Sequence, residues 1–237
     1  TRELARRAGL GAARRVLDLA GGTGATARAA LAVMSADAEL VGVDASEPMV
    51  EIARAEVADA RAGFRVGSAA SVADVASGTF DRALCNAAFW QFPSPGAVLA
   101  GLARVLEPGA LFVWNVPAER VAGEEAAVHP LQVALARALA ERAPEPAAPL
   151  GPWLAEGQLP LLLADHGFTL LDRELWHDRR TQGELLELMT IPAMIGRAAP
   201  SLDLEERRQV LEEVAGRIDP DAVLEVGWVF YRAVFPG

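Results

Sequence analysis

The sequence predicts an α/β fold, a doubly wound and mostly parallel sheet of seven strands with an antiparallel last strand and a helical insertion between strands five and six. Three observations carry this. Apolar runs of the buried-strand type, "RRVLDLA", "AELVGVD" and "FDRALC", alternate with helical patterns. A glycine-rich stretch, "GGTG", separates the first of these runs from an alanine-rich helix. The final run, "LEVGWVFYRAVF", alternates as a one-sided antiparallel strand does. With 237 residues the chain can bury one sizeable core. It reads as a single domain, 1–237, comprising a core over 1–117, a helical insertion or lid over 118–167, and a C-terminal part over 168–237 that completes the sheet.

Each element follows from local chemistry. Arg2 to Ala13 reads as a short helix, and Arg15 to Leu19 as the first strand. After the glycine turn, Ala25 to Met34 is helical and "AELVGVD" is the second strand. "SEPMVEIARAEVADA" opens a helix with Ser46 as N-cap and Pro48 in its first turn. "GFRVG" is a third strand, "SVAD" over Ser71 to Asp74 has the spacing of a capping box, and "FDRALCNAAF" is a fourth strand running into a loop. Ser94 and Pro95 open a helix closed by Pro108 and Gly109, and "ALFVWNVP" is a fifth strand ending at Pro117. Beyond it, Glu119 to Arg142 reads as helix broken near Pro130, "APEPAAPLGP" as a connector, "GQLPLLLADHGF" as a helix and "FTLLDRELW" as strand six. Gln182 to Gly216 is a second helical stretch. Strand-helix alternation of this kind gives a Rossmann-like sheet with right-handed crossovers, whose ligands bind beyond the carboxyl ends of its strands.

Composition removes several classes of function. The 22 basic and 32 acidic side chains give a formal charge of −10, without the basic run that binding of nucleic acid or an anionic membrane surface requires. No apolar stretch approaches the roughly 20 residues that span a bilayer. Cys85 is the only cysteine, so no internal disulfide forms, and a cytoplasmic, reducing compartment is expected. No metal site is expected. The chain begins at Thr1 rather than methionine, and residues ahead of it are expected to lie outside this sequence.

The glycine turn admits two ligands. "GTGATA", Gly22 to Ala27, satisfies the dinucleotide pattern G-x-G-x-x-A, and Asp44 stands about 20 residues further on, where a ribose-binding acid belongs. Read from Asp18, however, "DLAGGTG" resembles the first motif of class I S-adenosylmethionine-dependent methyltransferases, with Ala20 at its first glycine. The resemblance continues through "VGVDASEPMVEIAR", "FDRALCNAAF" and "LARVLEPGALFVWNVP", in the order that family has them, from Val16 to Pro117. It implies S-adenosylmethionine as cofactor. By that resemblance Asp18 and Ala20 lie at the methionine moiety, with Asp18 orienting its amino group. Gly22 and Gly24 let the cofactor lie against the turn, Asp44 and the adjoining Ala45 take the ribose, and Met49 packs near the adenine ring. Many relatives have an aspartate after the third strand; here the sequence offers Ser68, a neutral acceptor, with the backbone of Ala69 sharing adenine recognition. Asn86, at the carboxyl end of strand four, belongs where the family's reacting groups meet.

Acceptor specificity is expected from what lies outside the common core. Phe89, Trp90 and Phe92 follow strand four, Trp114 is on strand five, and Trp153, Met189 and Met194 fall in the helical additions. Together they suggest an apolar, aromatic enclosure for a small-molecule acceptor. Of three histidines, His166 reads as a helix-terminal residue and His177 as the end of strand six. His129, at the mouth of a helix beginning with Pro130, is the candidate general base. The expected activity is methyl transfer to oxygen, nitrogen or carbon of an apolar acceptor, with room for a homodimer. The alternatives are an NAD-dependent oxidoreductase, weakened by the absence of any lysine for a Tyr/Lys pair, and a methyltransferase-like protein that holds the cofactor structurally without methylating.

Overall fold

The computed structural model describes residues 1–72, 79–124, 129–142, 153–190, 195, 199 and 201–237. Seven strands, β1 (Arg15–Leu19), β2 (Glu39–Asp44), β3 (Ala62–Val66), β4 (Phe80–Cys85), β5 (Leu106–Pro117), β6 (Thr169–Thr181) and β7 (Val223–Phe235), form one sheet in the order β3-β2-β1-β4-β5-β7-β6. The first five pair in parallel and β7 runs antiparallel, as the sequence predicts. The strand order reverses between β1 and β4: β2 and β3 are laid down on one side of β1, β4 and β5 on the other. That reversal makes the carboxyl ends of β1 and β4 the place where an open α/β sheet is expected to bind its ligand. In β1 only Arg15 escapes full burial, because helices cover both faces of a parallel strand.

The described helices are α1 (Arg2–Arg7), α2 (Ala25–Leu31), α3 (Glu47–Glu56), α4 (Pro95–Ala103), α5 (Pro130–Ala140), α6 (Gln158–Ala164), α7 (Gln182–Met189) and α8 (Leu204–Ala215). Four expectations change in detail. The first helix stops at Arg7, and Gly9, at φ 61°, turns the chain into a single 3-10 turn over Leu10–Ala12. The helix opened by Ser94, whose Oγ accepts the Ala97 N–H at 3.4 Å, ends at Ala103 rather than at Pro108. Strand β5 already begins at Leu106, which pairs with Phe80, while Leu111 pairs with Arg82; Glu107–Ala110 therefore bulge from the ladder, and Pro108 sits where no ladder hydrogen bond is lost. Strand β6 runs on to Thr181, its polar second half exposed as an edge strand permits. Asp74 of the expected capping box, the connector 143–152 and Met194 lie outside the described residues.

The chain forms two compact units. One comprises Thr1–Pro117, Leu154–Leu175 and Val229–Gly237; the other comprises Ala118–Trp153 and Trp176–Trp228. The first holds the sheet core, where Phe112, Trp114 and Tyr231 stack in sequence at 4.6 and 5.1 Å between ring centroids. The second has its own helical core, in which Leu131 and Ala138 of α5 cluster with Val210 and Val214 of α8. Among the described residues no helix is long and apolar enough to cross a membrane, and no group of side chains could hold a metal ion.

Candidate functional site

The region that the topology singles out contains an unusual acid. Asp18, one residue before the end of β1, is completely buried, and neither carboxylate oxygen has a hydrogen-bond partner among the described residues. Burial, and after it the negative charge of Asp44, pushes its pKa up to about 7. A buried acid without a donor is costly. The backbone beside it is bare: a Cβ at Gly21 would come within 3.0 Å of Asp18 Oδ2, so any side chain there would crowd the carboxylate.

The turn after β1 is built from left-handed residues, Ala20 at φ 52°, Gly22 at 53° and Gly24 at 81°. It closes through the Gly24 N–H to the Gly21 carbonyl at 3.0 Å. Gly24 also serves packing, since a Cβ there would meet Val57 Cγ2 at 2.6 Å. Ala20 is the exception, a side-chain-bearing residue in a conformation that favours glycine. At the end of β2, Asp44 is clamped by main-chain donors: Oδ2 accepts from Gly22 N and Oδ1 from Ser46 N, each at 2.9 Å. Each oxygen retains acceptor capacity, so Asp44 is an oriented acceptor for two hydroxyl groups.

Asp18, Gly22 and Asp44 are thus brought together by hydrogen bond and charge, with Asn86 nearby, because β1 and β4 pair with Asp18 opposite Leu84. Met49 is half-buried on α3, and Ala45 is exposed after β2. Ser68 is exposed and its Oγ already accepts the Ala70 N–H at 3.2 Å, capping the 3-10 turn that Ala69 begins. The aromatic residues divide. Phe89 and Trp114 are fully buried, 5.4 Å apart between centroids, and present no surface to a ligand: they are core packing behind the loop rather than pocket wall. Trp90 is half-buried, and its Nε1 donates to the Ala87 carbonyl at 3.1 Å.

Trp153 and His129 belong to the second unit. Trp153 is half-buried, its N–H donating to the Arg120 carbonyl at 2.8 Å. His129 caps α5, with its N–H donating to Gln132 Oε1 at 3.2 Å. His166 is structural, its Nδ1 lying 2.9 Å from the Leu162 carbonyl, and His177 pairs with Glu225 at 2.6 Å on the surface. Sequence reasoning passed over Asn115, Ala87 and Gln91. Asn115 is a buried polar residue on β5 whose Oδ1 accepts the Ala87 N–H at 2.7 Å. It carried the signal that singled out Asp18, a polar side chain inside an apolar run.

Residues 16–109 match the family model described as a methyltransferase domain. Among solved structures the chain resembles a proposed methyltransferase from Bacillus halodurans C-125 at 18% identity, with a TM-score of 0.60, covering 99% of this chain and 98% of that one. It resembles the [4+2]-cyclase SpnF at 21% identity and a TM-score of 0.61, covering 99% and 78%. A phosphoethanolamine N-methyltransferase 2 from Haemonchus contortus, in complex with phosphomonomethylethanolamine and S-adenosylhomocysteine, matches at 18% identity and a TM-score of 0.52, covering 94% and 49%. These likenesses are of fold. No match was found among curated proteins. The family match covers the segment that carries the glycine turn and Asp44, about two fifths of the chain.

Proposed function

We propose that this chain transfers the methyl group of S-adenosylmethionine to an apolar small-molecule acceptor. One observation carries the reading: Asp18, buried and without a donor, at the foot of a glycine turn. A cationic ammonium group, such as the cofactor's amino acid end provides, satisfies that carboxylate. The same position disfavours the dinucleotide reading, because a pyrophosphate on this turn would lie beside the buried Asp18 carboxylate as well as the turn's N–H groups. Asp44 holds the ribose hydroxyls, Gly21 and Gly22 let the ligand approach the main chain, and Met49 lies toward the adenine. Ser68 and Ala69 serve adenine through main-chain groups more than through the Ser68 hydroxyl, which is engaged with Ala70.

When bound, the cofactor supplies an electrophilic methyl group on sulfur. The protein's part is alignment of the acceptor, which by intramolecular analogy can supply roughly 7–11 kcal/mol. A proton acceptor is needed only for a protonated nucleophile, and His129 is the residue proposed for it. Trp90 and Phe92 shape the acceptor side of the loop after β4. Calorimetric titration with S-adenosylhomocysteine and with NAD tests the cofactor assignment, and binding of NAD alone overturns it. Once an acceptor is in hand, single-turnover transfer by His129→Ala tests the base; a rate within about threefold of the unaltered chain excludes it. The likeness to a [4+2]-cyclase favours one second reading, cofactor binding without methyl transfer, which tight S-adenosylhomocysteine binding with no methylated product from any apolar acceptor would support.

A further inference from the structure

The loop that leaves β4 is pinned at a single residue, Ala87. Asn115, 4% exposed, accepts the Ala87 N–H at 2.7 Å, while the Ala87 carbonyl accepts from Trp90 Nε1 at 3.1 Å and from Gln91 Nε2 at 2.7 Å. Ala87 has φ 56°, a conformation that its Cβ opposes. A buried amide side chain and a strained alanine are both costs, and such strain persists only where its surroundings over-determine it. The strain sits next to the acid. With Asp18 opposite Leu84, Ala87 follows three residues beyond that level at the end of the neighbouring strand. Between them lies Cys85, whose buried thiol is raised in pKa by burial and then by the charge of Asp18.

A glycine at position 87 would reach the same φ without help, but it would also reach many others. Alanine held by Asn115 has one conformation. We propose that Asn115 is a positioning residue of the cofactor site: by accepting the Ala87 N–H it fixes the left-handed turn and so sets the wall that the loop after β4 presents beside Asp18. The inference rests on reading that region as the S-adenosylmethionine site. Asn115 does not touch the ligand in this scheme; it acts through Ala87, and Trp90 and Gln91 hold the carbonyl of the same residue.

The test is calorimetric titration of S-adenosylhomocysteine into the unaltered chain, Asn115→Ala, and Asn115→Ala combined with Ala87→Gly. Loss of the buried acceptor leaves the turn to be re-formed on binding, and Asn115→Ala should bind roughly five- to thirtyfold more weakly. The double variant should recover most of that loss, because glycine takes the left-handed conformation without a side-chain bond. A purely structural asparagine predicts instead a lower melting temperature with unchanged affinity, and that result overturns the proposal. A double variant no better than the single one overturns it as well. Should Asn115→Ala fail to fold, Gln91→Ala removes another clamp from the same residue; about two- to fivefold weaker binding is expected, and unchanged affinity is fatal. Failure of the unaltered chain to bind would remove the cofactor reading itself, and is recognisable because it precedes any substitution.

Discussion

The carboxyl ends of β1 and β4 leave the sheet in the same way and to opposite effect. Each passes within two residues of the strand end into a left-handed alanine, Ala20 at φ 52° and Ala87 at φ 56°. At the β4 end both main-chain polar groups of the strained residue are engaged, the N–H by Asn115 and the carbonyl by Trp90 and Gln91. At the β1 end the turn encloses a buried carboxylate with no hydrogen-bond partner among the described residues. The two cost comparable backbone strain, so the difference lies in what the strain holds. One end holds a shape; the other holds a carboxyl group without a partner among the described residues, which the proposed cofactor would supply.

The largest test of that contrast removes the charge. Asp18→Ala should weaken S-adenosylhomocysteine binding by roughly 30- to 1,000-fold, the value of a buried charge-assisted contact. Stability should move the other way. The folded pKa of Asp18, about 7, lies above its ordinary 3.8, so between those values the folded chain binds a proton that the unfolded chain has lost. Stability of the ligand-free protein therefore falls as pH rises from about 4 to 7 and then levels, by at most roughly 4 kcal/mol from this group. Asp18→Asn should be more stable than the unaltered chain at pH 8 and equal to it near pH 4, measured by denaturant unfolding. A variant that loses both binding and stability at pH 8 would make Asp18 a structural acid after all.

Equal in size is Asp44→Ala, expected to cost on the order of 2–4 kcal/mol of S-adenosylhomocysteine affinity in a folded protein. Unchanged affinity would refute the ribose role. The same change should lower the Asp18 pKa, since Asp44 is the second cause of its elevation. A smaller effect follows for the unaltered chain: an ammonium ligand needs Asp18 ionised, so affinity should rise about tenfold from pH 6 to pH 8. In Asp44→Ala that rise should shift to lower pH. A flat profile in the unaltered protein would mean that the ligand's charge does not meet Asp18.

Much of this was legible before any coordinates, and the reasons are local. Asp18 announced itself as an acid within "RVLDLA", and the spacing of the glycines to Asp44 follows from strand, turn and helix lengths that a βαβ unit constrains. The strands over Arg15–Leu19 and Glu39–Asp44 were readable because strands buried on both faces are continuous apolar runs. The start of β5 was not, since Pro108 and Gly109 are equally good helix terminators and bulge residues, and only pairing with β4 decides between them. The full length of β6 was hidden by a polar edge-strand composition that resembles a loop. Phe89 and Trp114 could not be sorted into wall or core from sequence, because aromatic residues serve both and burial is a tertiary property. Asn115 is different: "ALFVWNVP" displays it as plainly as "RVLDLA" displays Asp18, and its role emerges only from the bond it makes across to the next strand's loop.

The smallest prediction compares the two alanines directly. Ala20 stands at the first glycine of the motif that "DLAGGTG" resembles, and its Cβ opposes a left-handed φ that glycine adopts freely. Relieving that strain is worth about 1–2 kcal/mol, less the extra unfolded-state entropy of glycine, about 0.5–1 kcal/mol. Ala20→Gly should therefore stabilise the protein by roughly 0.5–1 kcal/mol in denaturant unfolding while leaving S-adenosylhomocysteine affinity within about twofold. The turn already holds its shape through the Gly24 to Gly21 bond and the clamp of Gly22 on Asp44, neither of which involves the Ala20 side chain. If Ala20→Gly instead weakened binding severalfold, the β1 turn would depend on a stiff alanine as the β4 loop does, and the division between an end that holds a carboxyl group and an end that holds a shape would fail.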